Sequence, residues 1–537
     1  MQDVVARSSR LASRPLANSV AQLRERAPAL TDFACATLSA VLLIVSFPDF
    51  NLWPLAWCAL VPLLLVLAIN KGWWRPFFLG WLFGTVFFYG SCYWLTYSMI
   101  HTGGISPLIA FPLLLPGAVL LGAFPGLFAL FMARVIRKWG AAALFLAPLS
   151  WSALEWLRLA VTGQLWNAIG YSQAFRPSLI GSAHWGGVYA VGALMVLVNA
   201  WIAFLLLRRT TRALVLSAGA GVIVVLVLVL TSTVRTEIRP LQNYEAVVVA
   251  IQPNVPMDLA KSDDEMKLLT TQHFDLSEAA LKQIQNATVP RLLIWPESPM
   301  NFTYGSDERL RTMLASFAQQ HHVSILLNSQ ETAPNDGIYN SAVLINEQGK
   351  LVAQYDKIRL LPFGEYVPLP DWVPGAGLIR AIVGDFTAGT TYRLMPVGNL
   401  RAGVFICIES AYPSIARRFT NEGADVLINI SNDGYLGPTA VMRQHLANGI
   451  FRAVENGRPL LSVTNTGITA FIGPNGEAKD MTPGFKPDVR IWSLSRLPGK
   501  TTFYTRHGDV FVISCTVLSL LTFVFTFAGS APKTRNN

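Results

Sequence analysis

Charge is scarce in this chain: 14% of its 537 residues are Asp, Glu, Lys or Arg, against 52% hydrophobic. With a mean hydropathy of +0.41, that balance excludes the ordinary soluble globular class and points to a membrane protein. Cysteine is scarcer still, at five residues, which leaves neither a zinc-type array nor an even disulfide framework. A G-x-G-x-x-G, a P-loop and any internal repeat are also missing, so no metal and no cofactor is called for. The net charge of +10 would suit nucleic acid, but the basic residues cluster at the ends of apolar segments, where they orient a membrane protein instead.

Those apolar segments run at approximately 33–50, 53–70, 76–98, 107–133, 141–161, 185–207 and 213–231, with a last one at 510–529. Each comes near the roughly 20 residues that cross a bilayer as a helix, the first two being short. Basic residues follow every second span: Lys71 and Arg75, then Arg134, Arg137 and Lys138, then Arg208, Arg209 and Arg212. The alternate loops near 51 and 99–106 have no Lys or Arg, and 162–184 has Arg176 alone. The positive-inside rule then predicts eight spans with both termini cytoplasmic and one large domain on the opposite side. Residues 1–30, with Arg7, Arg10, Arg14, Arg24 and Arg26, read as a mobile basic segment, and a cleaved signal peptide is disfavoured because spans follow at once. The expected division is 1–30 N-terminal segment, 31–235 seven-span bundle, 236–508 outward-facing domain, and 509–537 eighth span and tail with Lys533 and Arg535. Glu155 and Arg158, at the end of the fifth span, are either functional or reach out to the interface.

Between 240 and 508 charge returns, with Gly, Pro and Asn between short apolar runs. Strands are predicted at 245–251, 291–295, 323–328, 341–346, 402–407, 425–430, 460–465 and 468–472, and helices at 264–285, 306–320, 411–421 and 439–456. Their alternation means an α/β domain with a buried central sheet. Three ionisable residues follow strand-like runs in it: Glu297 after L-L-I-W-P, Lys357 in Y-D-K, and Cys407 in V-F-I-C-I-E. A cysteine at a strand end is ordinarily a small core hydrophobe, and a lone Glu or Lys is ordinarily a solvated charge. Together at the carboxyl ends of strands, where ligands gather in α/β sheets, they form a nucleophilic site. An ordinary thiol is mostly protonated at neutral pH and needs a base or a positive neighbour. Glu297 can take the proton, and Lys357 can stabilise both the thiolate and an oxyanion. Glu365 or Glu409 would have to help raise the base's pKa. His273, His321, His322, His445 and His507 show no comparable setting.

W-P-E, D-K-I-R-L-L-P-F-G-E-Y-V-P and C-I-E resemble the Glu–Lys–Cys signature of the nitrilase superfamily, which implies an α-β-β-α sandwich for the domain. With the eight spans, and with E-W-L-R at 155–158, I-G-Y-S-Q at 169–173, I-Q-P-N-V-P at 251–256 and S-N-D at 431–433, the chain from about 30 to 530 resembles the bacterial apolipoprotein N-acyltransferases, the membrane-embedded branch of that superfamily. The resemblance implies Glu297 as base, Lys357 as oxyanion and thiolate partner, Cys407 as nucleophile, and Glu365 and Glu409 as supporting acids. It implies transfer of an acyl chain from a glycerophospholipid, typically phosphatidylethanolamine, through a thioester to the α-amine of diacylglyceryl-cysteine apolipoproteins. The expected setting is a monomer in the bacterial inner membrane with its catalytic domain in the periplasm.

Two other classes stay open at this level. A membrane-tethered amide or nitrile hydrolase would share the three residues without needing so many spans. A lipid-binding or transport protein would explain the spans, with Cys407 as core, but not the convergence at the strand ends.

Overall fold

The computed structural model describes residues 28–70, 72–208, 211–233, 244–257, 261–368, 372, 386–497 and 501–527. The basic N-terminal segment, Lys71, Arg209 and the tail with Lys533 and Arg535 lie outside them.

The N-terminal half is helical: α1 (Pro28–Ile44), α2 (Val61–Ile69), α3 (Arg75–Ser91), α4 (Leu95–His101), α5 (Pro107–Trp139), α6 (Ala147–Thr162), α7 (Ala183–Leu207) and α8 (Thr211–Thr233). Among the described residues, three helical segments are long and apolar enough to cross a membrane: Pro107–Trp139, Ala141–Thr162 and Ala183–Leu207. The pair α3 and α4, bent by 51°, makes a fourth if it is one span. The other four expected spans coincide with shorter apolar helices, Ala29–Ile44, Trp53–Ile69, Ser217–Val227 and Val510–Phe525. Helices α3 and α5 approach closely because small residues face each other: a Cβ on Gly84 would stand 2.8 Å from the Cα of Gly122. Helix α7 is broken near its start, where Gly187 takes φ +64°, a conformation that glycine adopts without a Cβ penalty.

The second half contains β1 (Ala246–Gln252), α9 (Asp263–Gln283), β2 (Arg291–Ile294), α10 (Glu308–His321), β3 (Ser324–Thr332), β4 (Ile338–Ile345), β5 (Leu351–Asp356), β6 (Leu394–Val397), β7 (Leu400–Ile406), α11 (Pro413–Asn421), β8 (Val426–Ser431), α12 (Val441–Asn456), β9 (Leu460–Thr464), β10 (Ala470–Ile472), β11 (Ala478–Lys479) and β12 (Asp488–Leu494). After them come α13 (Phe503–His507) and α14 (Val510–Phe525). The buried central sheet read from alternation is two six-stranded sheets, ordered β12-β1-β2-β3-β4-β5 and β11-β10-β9-β8-β7-β6, the two β layers that the resemblance to a sandwich implied. Strands β1, β2 and β3 pair in parallel, as do β7, β8 and β9.

The split into two sheets follows from which side chains share a core. Ala246, Val248, Ala250, Leu292 and Ile294 pack in one cluster with Ala402, Val404 and Ile406 of the other sheet. The alternate residues Val249, Ile251 and Leu293 pack with Leu281, Leu310 and Leu314 of α9 and α10. Period-2 alternation places each set on its own face. Every residue of β1 is buried, so no polar face betrayed the second sheet in the sequence.

Helix α12, on the outer side of the second sheet, joins the domain to the bundle through polar side chains that are all buried. Gln444 accepts hydrogen bonds from the indoles of Trp94 at 3.1 Å and Trp166 at 2.9 Å. Its amide donates to the carbonyls of Ser91 at 3.1 Å and Pro48 at 3.4 Å. One turn and more further on, Arg452 pairs with Glu455 at 2.8 Å and donates to the Tyr171 hydroxyl at 3.2 Å. Glu455 in turn accepts from the Val188 amide at 3.0 Å, immediately after the break in α7.

Candidate active site

Three strand ends from the two sheets meet. Strand β2 ends at Ile294 and is followed by Trp295 and Pro296, and a proline cannot continue the ladder, so Glu297 stands just beyond it. Lys357 is the first residue after β5. Cys407 follows β7 and begins a short 3-10 turn, Cys407–Ala411, with φ +52°. For a residue with a Cβ that left-handed conformation costs on the order of 1–2 kcal/mol. It persists only because its surroundings hold it.

Glu409 is the first of those surroundings. One of its oxygens accepts from the Tyr355 hydroxyl at 2.8 Å, the Ile358 amide at 2.9 Å and the Arg359 amide at 3.0 Å. The other accepts from the Ile406 amide at 2.8 Å. The carboxylate therefore ties the Cys407 turn to the backbone just past Lys357, and it is completely buried.

The charged groups lie close together. The Lys357 ammonium, 1% exposed, is 2.8 Å from Glu365 and 3.7 Å from Glu297. Asn340, on β4, donates to Glu365 at 2.7 Å and to Glu297 at 2.9 Å, and is itself held by Asn328 at 2.7 Å. The other Glu297 oxygen accepts from the Asn432 amide at 3.1 Å, and the Glu297 charge acts on the Cys407 thiol. Burial raises the titration of Glu297 and the nearby Glu365 charge adds to it, against the opposing effect of Lys357. Burial works against the charge of Lys357, but Glu365 and Glu297 outweigh it and keep the amine protonated. Burial and the negative charge of Glu297 push the Cys407 thiol well up, so it is a thiol at rest. A protonated thiol beside a carboxyl whose basicity has been raised, with a fixed cation alongside, can exchange that proton and then attack an electrophilic carbon.

Glu297, Lys357 and Cys407 thus come together, with Glu365 and Glu409 around them. Sequence reasoning did not find Asn340, nor His445, which reaches the Cys407 carbonyl at 3.0 Å although histidines were set aside. The available signals were a polar residue inside the buried strand I-Y-N-S-A-V-L-I and a helix, α12, carrying polar residues all round. I-Q-P-N-V-P finds its place through Asn465, which holds Val255 at both its amide, 2.7 Å, and its carbonyl, 2.9 Å, and also donates to Asn432 at 3.1 Å. Glu155 and Arg158 do not reach an interface. Both are buried, Glu155 accepting from Trp151 at 3.0 Å and the Ile169 amide at 2.8 Å, and Arg158 donating to the Trp166 carbonyl at 2.9 Å. They hold the 163–173 loop. Beside them an apolar pocket opens within the bundle, lined by Phe83, Phe87, Phe128 and Trp151.

Two family models match this chain. One, the apolipoprotein N-acyltransferase N-terminal domain, covers residues 39–201; the other, carbon-nitrogen hydrolase, covers 271–495. An apolipoprotein N-acyltransferase of Geobacter metallireducens is 31% identical over 494 residues, spanning 90% of this chain and 93% of that protein. Another from Allorhizobium ampelinum is 30% identical over 420 residues, spanning 76% and 77%. A solved amidase from Nesterenkonia sp. aligns with 51% of this chain and 97% of its own at 16% identity and a TM-score of 0.36.

Proposed function

Since the chain belongs to the apolipoprotein N-acyltransferase family, an acyltransferase family with a nitrilase-superfamily domain, we propose that it moves a fatty acyl chain from a membrane glycerophospholipid, phosphatidylethanolamine by preference, to the amino group of the diacylglyceryl-cysteine of apolipoproteins. The observation that carries the reading is the Cys407 thiol, held in a left-handed turn under the opposed charges of Glu297 and the buried Lys357 ammonium, which stand 3.7 Å from each other.

In the first step Glu297 takes the thiol proton as sulfur attacks the ester carbonyl carbon. Lys357 stabilises the tetrahedral oxyanion. The ester C–O bond breaks, Glu297 returns the proton to the departing lysophospholipid oxygen, and a thioester remains on Cys407. In the second step the lipoprotein α-amine attacks that carbonyl, its proton passes through Glu297, and the sulfur leaves as thiol. Splitting the transfer in two lets donor and acceptor use one site in turn. Glu365 keeps Lys357 in place, and Glu409 keeps the Cys407 turn in place.

An acyl donor confined to the bilayer gives the membrane half its purpose. We place eight spans in an inner bacterial membrane, both ends of the chain in the cytoplasm, and residues 236–508 in the periplasm as a monomeric enzyme's catalytic domain. The loop charges support this orientation.

The test is purified protein with labelled phospholipid, with and without a diacylglyceryl lipopeptide. N-acylated lipopeptide and an equal amount of lysophospholipid are expected. Release of free fatty acid alone would favour a hydrolase, and full transfer by Cys407→Ala would end the mechanism.

A further inference from the structure

His445 lies on α12, buried, with both ring nitrogens committed. Nδ1 is 2.7 Å from an oxygen of Asp433 and Nε2 is 3.0 Å from the carbonyl oxygen of Cys407. Both of these partners are acceptors, so both contacts are hydrogen bonds only if each nitrogen carries a proton; the Asn429 amide nitrogen also lies near Nε2, at a longer 3.4 Å. A neutral ring would give its one proton to the carboxylate and turn a lone pair on the Cys407 carbonyl.

We propose that His445, as an imidazolium braced by Asp433, is the positioning residue that holds the Cys407 carbonyl and with it the left-handed backbone of the nucleophile. The inference rests on the function proposed above. His445 touches no reacting atom in it. Cys407 occupies a conformation that side-chain-bearing residues avoid, and Glu409 secures only the amide before it, that of Ile406. The carbonyl side is held by His445, with Asn429 a longer contact at 3.5 Å. The groups that face the ring are Asp433 from the end of β8, the Cys407 carbonyl from the end of β7, and the Glu297 charge from the end of β2; Trp166 packs beside it as a neutral ring. Burial opposes the charged ring, but Asp433, the carbonyl and Glu297 outweigh it and raise its titration above the ordinary imidazole range.

The sign follows directly. The bond to Cys407 is present below the raised pKa of the ring and is lost as pH rises through it, so first-step acylation should show an alkaline limb. Asp433→Asn removes the limb, because the introduced amide can donate to Nδ1 and leave Nε2–H for the carbonyl in a neutral ring. His445→Gln also removes it, since its amide N–H can reach the carbonyl without titrating.

The experiment uses the full chain in detergent with phosphatidylethanolamine, following acyl mass on the Cys407 peptide from pH 6 to 9, with thermal unfolding as a check. His445→Leu is expected to acylate about 10- to 100-fold more slowly, at or below the smallest loss seen for a single catalytic donor because it acts through another group, with the KM for phospholipid little changed. His445→Gln should recover most of that loss. The proposal is overturned if the alkaline limb survives in Asp433→Asn and His445→Gln, or if folded His445→Leu acylates at the wild-type rate. Should His445→Leu fail to fold, the isosteric Asp433→Asn still decides. Should no acyl group reach wild-type Cys407, the proposed function fails instead; iodoacetamide labelling of Cys407 at pH 7, which needs no lipid, then reads the positioning role. Several-fold slower labelling in His445→Leu supports it, and equal labelling overturns it.

Discussion

Lys357 places its closest contact, 2.8 Å, on Glu365 and stands 3.7 Å from Glu297, so Glu297 is the carboxylate less closely paired with the amine. Burial and the Glu365 charge raise the titration of Glu297 above that of an ordinary carboxylate. A raised base is lost early on acidification: acylation should fall as pH drops through that raised value, above the usual glutamate pKa of about 4.3. Glu365→Gln removes one raising charge and frees Lys357 for Glu297, so the acid limb should move to lower pH and the neutral-pH rate should drop. A pH–rate profile of the first step checks both; an unmoved limb would assign it to another group.

Lys357→Met should cost both rate and stability. The rate loss expected is about 100-fold or more, the scale of a lost oxyanion donor. The stability loss follows because the amine is 1% exposed between two carboxylates. Removing one member of such a buried set costs on the order of 3–5 kcal/mol. Single-turnover acylation and thermal unfolding together measure the two effects, and a fully stable variant would show that the carboxylates take up protons without penalty.

Glu409→Gln is a sterically small change with an expected large effect. Four donors converge on this carboxylate, and an amide would turn an N–H group against at least one of them. A loss of about 1–3 kcal/mol follows, with slower acylation because the Cys407 turn loosens. Urea unfolding of the two proteins, compared at equal slope, is the check.

Orientation can be read with reporters. Alkaline phosphatase fused after residue 300 should be active, and fused after residue 137 inactive. The opposite pattern would put the catalytic domain in the cytoplasm.

Two of the three strands that carry the site were legible because β2 and β7 are short apolar runs followed by recognisable residues, Pro296 and Cys407, whereas β5, L-V-A-Q-Y-D, is too polar and too exposed to stand out. Helix α12 was expected at 439–456 and lies at Val441–Asn456. Edge strands were harder: β12, D-V-R-I-W-S-L, pairs antiparallel with β1, but its charged residues and partial burial gave no apolar run to find. His445 escaped for a different reason. Its partners Asp433 and Cys407 lie 12 and 38 positions away, brought together by the parallel pairing of β7 with β8, and no local pattern encodes that meeting.

The way Gln444 is held bears on inheritance. Its four side-chain hydrogen bonds go to Trp94, Trp166, Ser91 and Pro48, three separate stretches of the bundle. A domain carrying α12 could not be seated on a different set of helices without stranding a buried amide and breaking the contacts of Arg452 to Tyr171 and of Glu455 to Val188. A substitution on one side of this seam therefore calls for a matching one on the other.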